Sequence, residues 1–187
     1  MSLVHSLPLL FDGIVSGEVG EMDSHIRATV QPVPRVGTML PSFQLPTAGG
    51  GSLGPWAFKG RRNLVLYFVD SVDCLTCQRA LRDLADRYRE LRDHEAEVLV
   101  IAPLQQDRAL RARSSLGLPF PILVDPDSSV YARYGLLIGN GHAVPAVLVA
   151  DRYGEIFAQS IGTPDHALIG VAEILSWLQL IEIQCPE

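Results

Sequence analysis

Cysteine, lysine and long apolar runs are what this chain has least of. It carries three cysteines, Cys74, Cys77 and Cys185, in 187 residues. Three is too few for a disulfide scaffold at this length, and an odd count leaves one unpaired. A reducing, cytoplasmic compartment is the simplest expectation. Lys59 is the one lysine among 15 basic residues, and the formal charge is −6 with no basic cluster, so nothing marks a nucleic-acid surface. No run is long enough to span a membrane. The amino terminus is apolar but has no Arg or Lys ahead of the apolar stretch, and Pro8 and Asp12-Gly13 interrupt it, which argues against a signal peptide. A C-x-x-C can be half of a zinc site, which usually needs four ligands. Only Cys185 and five scattered histidines remain, so neither a metal nor another cofactor is expected.

What is present suffices for a folded domain. Apolar residues make up 48% of the chain, enough for one well-buried domain plus an appendage. Residues 1–36 read as an amino-terminal extension that packs on the domain or forms a dimer arm, with Asp23 and its acidic neighbours opening a short helix and Pro32 and Pro34 forcing extended backbone. The domain proper is expected over 37–187. Pro41 to Pro46 reads as a short strand, and Gly49-Gly50-Gly51-Ser52 as a turn. Leu64 to Val69 is a continuous β-type run, expected of a strand covered on both faces. A long helix follows, with Leu81, Leu84, Ala85, Tyr88 and Leu91 on one side. Glu97 to Ala102 is a second buried strand. Asp107 to Leu116 suits a surface helix stopped by Gly117. Phe120 to Asp125 is a strand, and Ser128 to Tyr134 a helix closed by Gly135. Ala146–Ala150 and Glu155–Ala158 flank Asp151-Arg152-Tyr153-Gly154, a hairpin signal. Pro164 and Asp165 open a last helix running to about Ile183. The order implies an α/β sandwich, a mixed central sheet with helices on both faces. Trp56 and Trp177 read as core or interface anchors.

The chemistry concentrates at Cys74-Leu75-Thr76-Cys77, between a buried strand and an amphipathic helix. Free backbone N–H groups at a helix start favour an anion, so a thiol there is more readily held as thiolate. A second thiol one turn on can attack a mixed disulfide formed by the first. The bland reading of such a pair is two buried, inert cysteines.

From about Gly37 to Ile183 the chain resembles the thioredoxin-like superfamily, in particular its AhpC/TSA (redoxin, peroxiredoxin-like) branch. Pro41-Ser42-Phe43-Gln44-Leu45 looks like the Pro-Asp-Phe-x-Leu opening of that branch, with Ser42 in place of Asp. Tyr67-Phe68 before the cysteines matches, as does Pro119 to Pro126 followed by Tyr134-Gly135. Val144-Pro145-Ala146 and the residues after it are similar to the thioredoxin segment in which a cis-proline precedes a strand. The resemblance implies a thioredoxin-like fold and a thiol-dependent oxidoreductase.

Two mechanisms compete within that likeness. Counting from Phe68, Cys77 falls on the peroxidatic position of Pro-x-x-x-(Thr/Ser)-x-x-Cys, with Cys74 in the Thr/Ser place and Asp70 or Val69 where Pro is expected. The stretch matching the family's peroxide-holding Arg is His142-Ala143-Val144-Pro145, which has none. Peroxide reduction needs donors that stabilise the shifting charge, so this chemistry should be slow unless Arg79 substitutes. Disulfide exchange is the alternative: Cys74 attacks, Cys77 resolves, and Pro145 shapes a groove for partner backbone. Asp73 would raise the Cys74 pKa or cap the helix, Arg79 would act the other way or stay solvated, and Thr76 lies between the thiols as a further modulator. His142 reads as a loop residue. Ile183-Gln184-Cys185-Pro186 looks like the Val-Cys-Pro of dimeric two-cysteine peroxiredoxins, which would make Cys185 a resolving residue for a neighbouring subunit; an exposed terminal thiol is the plainer reading. The expected partners are a disulfide-containing protein or a small thiol or peroxide substrate, a thiol reductant and a second copy of the chain, with no nucleic acid and no membrane. A redox-sensing or binding domain without turnover is the reading outside enzymology.

Overall fold

The computed structural model describes residues 31–139, 141–162 and 168–184. Among the described residues nine strands and five α-helices follow one another in the order β1 (Leu45–Pro46), β2 (Ser52–Leu53), β3 (Asn63–Phe68), α1 (Leu75–Asp86), α2 (Tyr88–Asp93), β4 (Ala96–Ala102), α3 (Gln106–Leu116), β5 (Ile122–Val124), α4 (Ser129–Arg133), β6 (Leu137–Ile138), β7 (His142–Ala143), β8 (Ala146–Ala150), β9 (Ile156–Ile161) and α5 (Val171–Gln184). Five strands form one sheet in the order β5-β4-β3-β8-β9. β3, β4 and β5 run parallel, and β8 and β9 join antiparallel. The mixed sheet with helices on both faces is as expected.

Strand alternation divides the core in two. From β3, Val65 and Tyr67 face one side with Leu81, Leu84 and Leu91 of α1 and α2, Ala109 of α3, and Ile174 and Leu178 of α5. Leu64, Leu66 and Phe68 face the other, with Val130, Tyr131 and Tyr134 around α4 and with Leu40 and Phe43. Successive side chains of a strand point to opposite faces, so a strand covered twice is apolar on both alternations, as β3 is from Leu64 to Phe68, β4 from Val98 to Ala102 and β8 throughout. On the second face Phe68 meets Tyr131 edge-on at 5.2 Å and Tyr134 at 5.1 Å. The Tyr134 hydroxyl donates to Pro41 O at 2.8 Å, and Arg133 donates to Ser42 O, which fixes the Pro41-Ser42-Phe43 segment.

Several expected elements differ. Of the strand expected over 41–46, only Leu45–Pro46 pairs. The long helix breaks at Arg87 (φ −103°, ψ 11°), whose guanidinium forks onto Glu90 in the next turn. Pro164 and Asp165 lie outside the described residues; residues 168–170 are not helical, and α5 begins after Gly170. Glycine is a poor helix residue, and the Gly170 carbonyl instead accepts the N–H groups of Glu173 and Ile174. Trp56 sits in a 3₁₀ turn over Pro55–Phe58, 40% exposed, under the Lys59 ammonium, so it is no core anchor; Trp177 is partly buried against the core.

Residues 1–30, with the helix expected near Asp23, lie outside the described residues. The end of the same stretch packs on the domain. A Cβ on Gly135 (φ +65°) would stand 2.3 Å from Gln31 O and 2.7 Å from Val33 N.

Candidate active site

The sheet delivers the cysteine pair at the carboxyl end of its central strand. β3 pairs with β4 in the register Phe68↔Ile101, and the Val69 N–H continues the ladder by donating to Ile101 O at 3.0 Å. The next bond of a parallel ladder would run from residue 103 to Val69 O. Residue 103 is proline, which has no N–H. The Tyr131 hydroxyl, fully buried, supplies the missing donor: it donates to Val69 O and also lies 2.8 Å from Ile101 O. Burial holds the Tyr131 pKa well above its ordinary value, and the charges of Asp125 and Asp70 add to this, so the group remains a donor. Asp125 fixes Tyr131 in turn. It accepts the N–H groups of Val130 and Tyr131 at 2.9 and 3.1 Å and the Ser129 hydroxyl at 3.1 Å.

Beyond Val69 the loop is held at two further points. The Asp73 N–H donates to Ser71 Oγ at 3.1 Å, and Gln78 Nε2 donates to the carbonyl of buried Val72 at 3.1 Å. Cys74 (φ −76°, ψ 139°) is the N-cap of α1, and its Sγ accepts the Cys77 N–H at 3.0 Å. The helix cap is therefore Cys74 and not Asp73, as one reading of the sequence had it. A disulfide joins Cys74 to Cys77 with Cα atoms 5.3 Å apart. Cys74 is exposed and Cys77 half-buried.

The two sulfurs meet opposite electrostatic surroundings. Cys74 Sγ faces a backbone amide at the positive end of a helix. Cys77 Sγ lies 3.4 Å from Asp70 Oδ1. Asp73 is paired with Arg108 of α3, both more than half exposed. Arg79, the expected counter-charge, is exposed and has no ion pair among the described residues. Thr76 is exposed on the first turn.

The antiparallel register Phe68↔Ala146 sets Pro145 beside the exit of β3. The structure accordingly brings Asp70 and Pro145 into one open groove of about 330 Å³, lined also by Ile138, His142, Ala143 and Val144. The short β6–β7 hairpin pairs Ile138 with His142 and forms one wall. Against the expected cis geometry, the Val144–Pro145 peptide is trans. A trans proline just before a strand deprives the ladder of no donor, and the Pro145 carbonyl accepts the Gly162 N–H at 2.8 Å.

Cys185 lies outside the described residues. Glu182, three residues earlier in sequence, bonds His94 at 2.8 Å, just before the amino-terminal end of β4 and therefore at the opposite end of the parallel strands from Cys74 and Cys77. Among the described residues no cluster of His, Cys, Asp and Glu could hold a metal ion, and no helix is long and apolar enough to cross a membrane.

Sequence reasoning placed Asp70 only as the residue standing where proline was expected, and it missed Tyr131 and Arg108. Asp70 had a signal, a carboxylate directly after the apolar run Leu64–Val69 and seven positions before Cys77. Tyr131 became findable only once the ladder bond at Pro103 was known to be missing.

Residues 36–159 match the family described as AhpC/TSA. The chain belongs to the AhpC/TSA family. A Mycobacterium tuberculosis protein named "Putative peroxiredoxin Rv2521" is 29% identical over 99 residues, 53% of this chain and 62% of that protein. The chain thus spans less than two thirds of that relative's length. A protein of Ignicoccus hospitalis named "Peroxiredoxin" is 24% identical over 159 residues, 81% of this chain and 67% of its own. Among solved structures, Mycobacterium tuberculosis AhpC superposes with a TM-score of 0.74 at 20% identity, covering 83% of this chain and 98% of the other. At that identity the likeness establishes the thioredoxin-type fold shared with this AhpC/TSA chain.

Proposed function

We propose that the chain is a thiol–disulfide oxidoreductase of the AhpC/TSA type in which Cys74 is the nucleophile and Cys77 the resolver. The observation that carries this reading is the asymmetry of the pair. Cys74 is the exposed N-cap sulfur that accepts an amide N–H, while Cys77 is half-buried against a carboxylate. Anion stabilisation at a helix start lowers the cost of a thiolate, so the sulfur a partner can reach is also the one more easily ionised. The groove containing Pro145 is then the place for partner backbone. The partner is a disulfide-bearing protein or small disulfide, with a thiol reductant closing the cycle. A reducing, cytoplasmic setting follows from the cysteine count. The reading of residues 1–36 as an arm that packs on the domain or on a second copy is supported at its end, where Gln31 and Val33 lie against Gly135. A homodimer is supported by the outer position of β9 in the sheet.

The second reading is a thiol peroxidase in which Cys77 is oxidised first and Cys74 resolves it. The family and the relatives' names favour it; the carboxylate in the groove, where the resemblance leads one to expect an arginine, disfavours it. Thiol titration of the wild type, Cys74→Ser and Cys77→Ser against a small disulfide and against hydrogen peroxide separates the two. Disulfide exchange predicts that Cys74→Ser abolishes reductase turnover and that Cys77→Ser arrests at a mixed disulfide. Full reductase activity in Cys74→Ser would sink the assignment. Rapid thiol loss with stoichiometric peroxide, abolished by Cys77→Ser alone, would establish the peroxidase.

A further inference from the structure

The cleft between the start of α1 and the helix α3 has no part in the exchange scheme as stated so far. It holds about 200 Å³, and its lining includes Asp73, the residue before Cys74. We propose that this cleft is a subsite for the carboxylate of a small organic disulfide, on the half of that disulfide that becomes bonded to Cys74. This deepens the disulfide-exchange reading and rests on it.

Charge divides the two flanks of the cysteine pair. The Pro145 groove is lined by Asp70 and His142, with no arginine or lysine among the described residues. The α3 flank is lined by two guanidinium groups, Arg108 and Arg111, against one carboxylate, Asp73. Arg108, Arg111 and Ser115 recur at helical spacing, so one face of α3 carries them toward the cleft. Arg108 pairs with Asp73, and Arg111 meets Asp107 at 2.8 Å; all four side chains are more than half exposed. Exposed pairs of this kind are held weakly, so another carboxylate can exchange into them. A guanidinium also offers five N–H donors in a planar fork that fits a carboxylate at two points, and each described pair uses one nitrogen of its arginine.

Reach is set by a contact already made. Arg108 holds the side chain adjoining Cys74 in sequence, so Asp73 stands where the carboxylate of a ligand would. A carboxylate carried a few bonds from a sulfur on Cys74, which is exposed, meets the same guanidinium. Val72, Ala112 and Leu116 complete the lining and suit the methylene groups between sulfur and carboxylate. The same carboxylate in the Pro145 groove would face Asp70, so the charges also orient the disulfide.

The exchange balances as follows. Cys74 thiolate attacks RS–SR, Cys74–S–SR forms, and RS⁻ leaves and takes a proton from water. The Cys77 thiol gives its proton to water and attacks Cys74 Sγ. The Cys74–Cys77 bond forms, the bond to SR breaks, and the second RS⁻ is protonated by solvent. Two electrons pass from the dithiol to RS–SR, which leaves as two RSH.

The test compares 3,3′-dithiodipropionate with bis(2-hydroxyethyl) disulfide, in which a hydroxyl replaces each carboxylate. Rates of thiol loss from the reduced full chain are read by acid quench and mass spectrometry, and each is divided by the rate of dithiothreitol with the same disulfide. The wild type is expected to prefer the anionic probe by about threefold or more at low salt. Arg111→Ala, which removes a donor, and Ser115→Phe, which fills the cleft without changing its charge, should each remove most of that preference. Arg79→Ala, which removes an exposed charge of α1 outside the cleft, should keep it. No preference in the wild type, an unchanged preference in Arg111→Ala or Ser115→Phe, or an equal loss in Arg79→Ala overturns the subsite while leaving the exchange reading in place. A wild type that reacts with neither disulfide overturns the exchange reading, and the subsite with it.

Discussion

Replacing Tyr131 by Phe removes one oxygen from a site that offers it no substitute. Tyr131 is fully buried, so no water replaces the hydroxyl. Of its two acceptors, Ile101 O keeps the Val69 N–H at 3.0 Å. Val69 O keeps none among the described residues, because the ladder donor due at position 103 is a proline. A buried carbonyl stranded in this way costs about 1–3 kcal/mol, and the phenyl ring remains to fill the volume, so no cavity adds to it. Taking about 2 kcal/mol, and about 2 kcal/mol/M for the urea dependence of a domain this size, the urea midpoint should fall by about 1 M with an unchanged slope. Trp56 and Trp177 provide the fluorescence signal. Tyr134→Phe is the internal control: Tyr134 is equally buried, but it loses one bond, to Pro41 O at 2.8 Å, and Pro41 is only half-buried, so its shift should be smaller. A Tyr131→Phe midpoint within about 0.2 M of wild type would refute the claim that the hydroxyl stands in for a missing ladder donor.

Further outcomes follow from other contacts. Burial raises the Asp125 pKa in the native state, so between the ordinary carboxylate value near 4 and that raised value the native chain binds a proton the unfolded chain does not, and the Asp125 contribution to stability grows as pH falls through this window. Asp125→Asn, which keeps an acceptor oxygen, should flatten that component in urea midpoints compared between pH 4 and 7, and a wild-type minus variant difference independent of pH would contradict it. Asp125→Ala strands the two buried N–H groups of Val130 and Tyr131 and should cost roughly 2–4 kcal/mol, read from the same denaturation curves. Arg108→Ala should change stability by less than about 1 kcal/mol, as exposed pairs do, yet slow alkylation of reduced Cys74 a few-fold by leaving the Asp73 charge unpaired beside it; an unchanged alkylation rate would show that Asp73 does not act on the thiol. Gly135→Ala combines a positive φ, worth about 1 kcal/mol, with a Cβ that would meet Gln31 O at 2.3 Å, so limited proteolysis should cut near residues 31–33 faster than in wild type while the domain core remains protected.

The parts of this structure that were legible in the sequence are those where burial imposes a pattern. β3, β4 and β8 are covered on both faces, so apart from Asn63 and Glu97 near the starts of β3 and β4 every position is apolar and the runs stand out. The cysteine pair was legible because a strand and an amphipathic helix bracket it. Two-residue strands such as β2, β6 and β7 have no period to read, yet the β6–β7 hairpin builds a wall of the groove. The break at Arg87 was hidden because Leu84, Tyr88 and Leu91 keep a helical spacing across it. The start of α5 was misread because Pro164-Asp165 is a good helix opening locally. At the site, Cys74, Cys77 and Pro145 stand out in the sequence by type and order. Arg108 does not, since its partner lies 35 residues away and depends on how α3 packs. Asp73 was credited with a cap that a sulfur makes instead.

That substitution explains why one motif satisfies two chemistries. N-caps favour side chains that accept an N–H from within the first turn, usually hydroxyls or carboxylates. The peroxiredoxin-like frame expects Thr or Ser where Cys74 stands, and Cys74 Sγ accepts the N–H of Cys77 as a capping group would. The group that would have been a hydroxyl neighbour of Cys77 has thereby become its redox partner, with Cα atoms 5.3 Å apart within one turn. Whether a disulfide reaches Cys74 first or a peroxide reaches Cys77 first, the second sulfur is already in place, and both routes end in the same cystine without unwinding α1. A distant resolving cysteine is then superfluous, and Cys185→Ser should leave the rate and extent of Cys74–Cys77 disulfide formation unchanged. Intersubunit disulfides dominating the oxidised wild type on non-reducing gels, and lost in Cys185→Ser, would show that the in-turn pair is not the route by which the oxidised thiol is resolved.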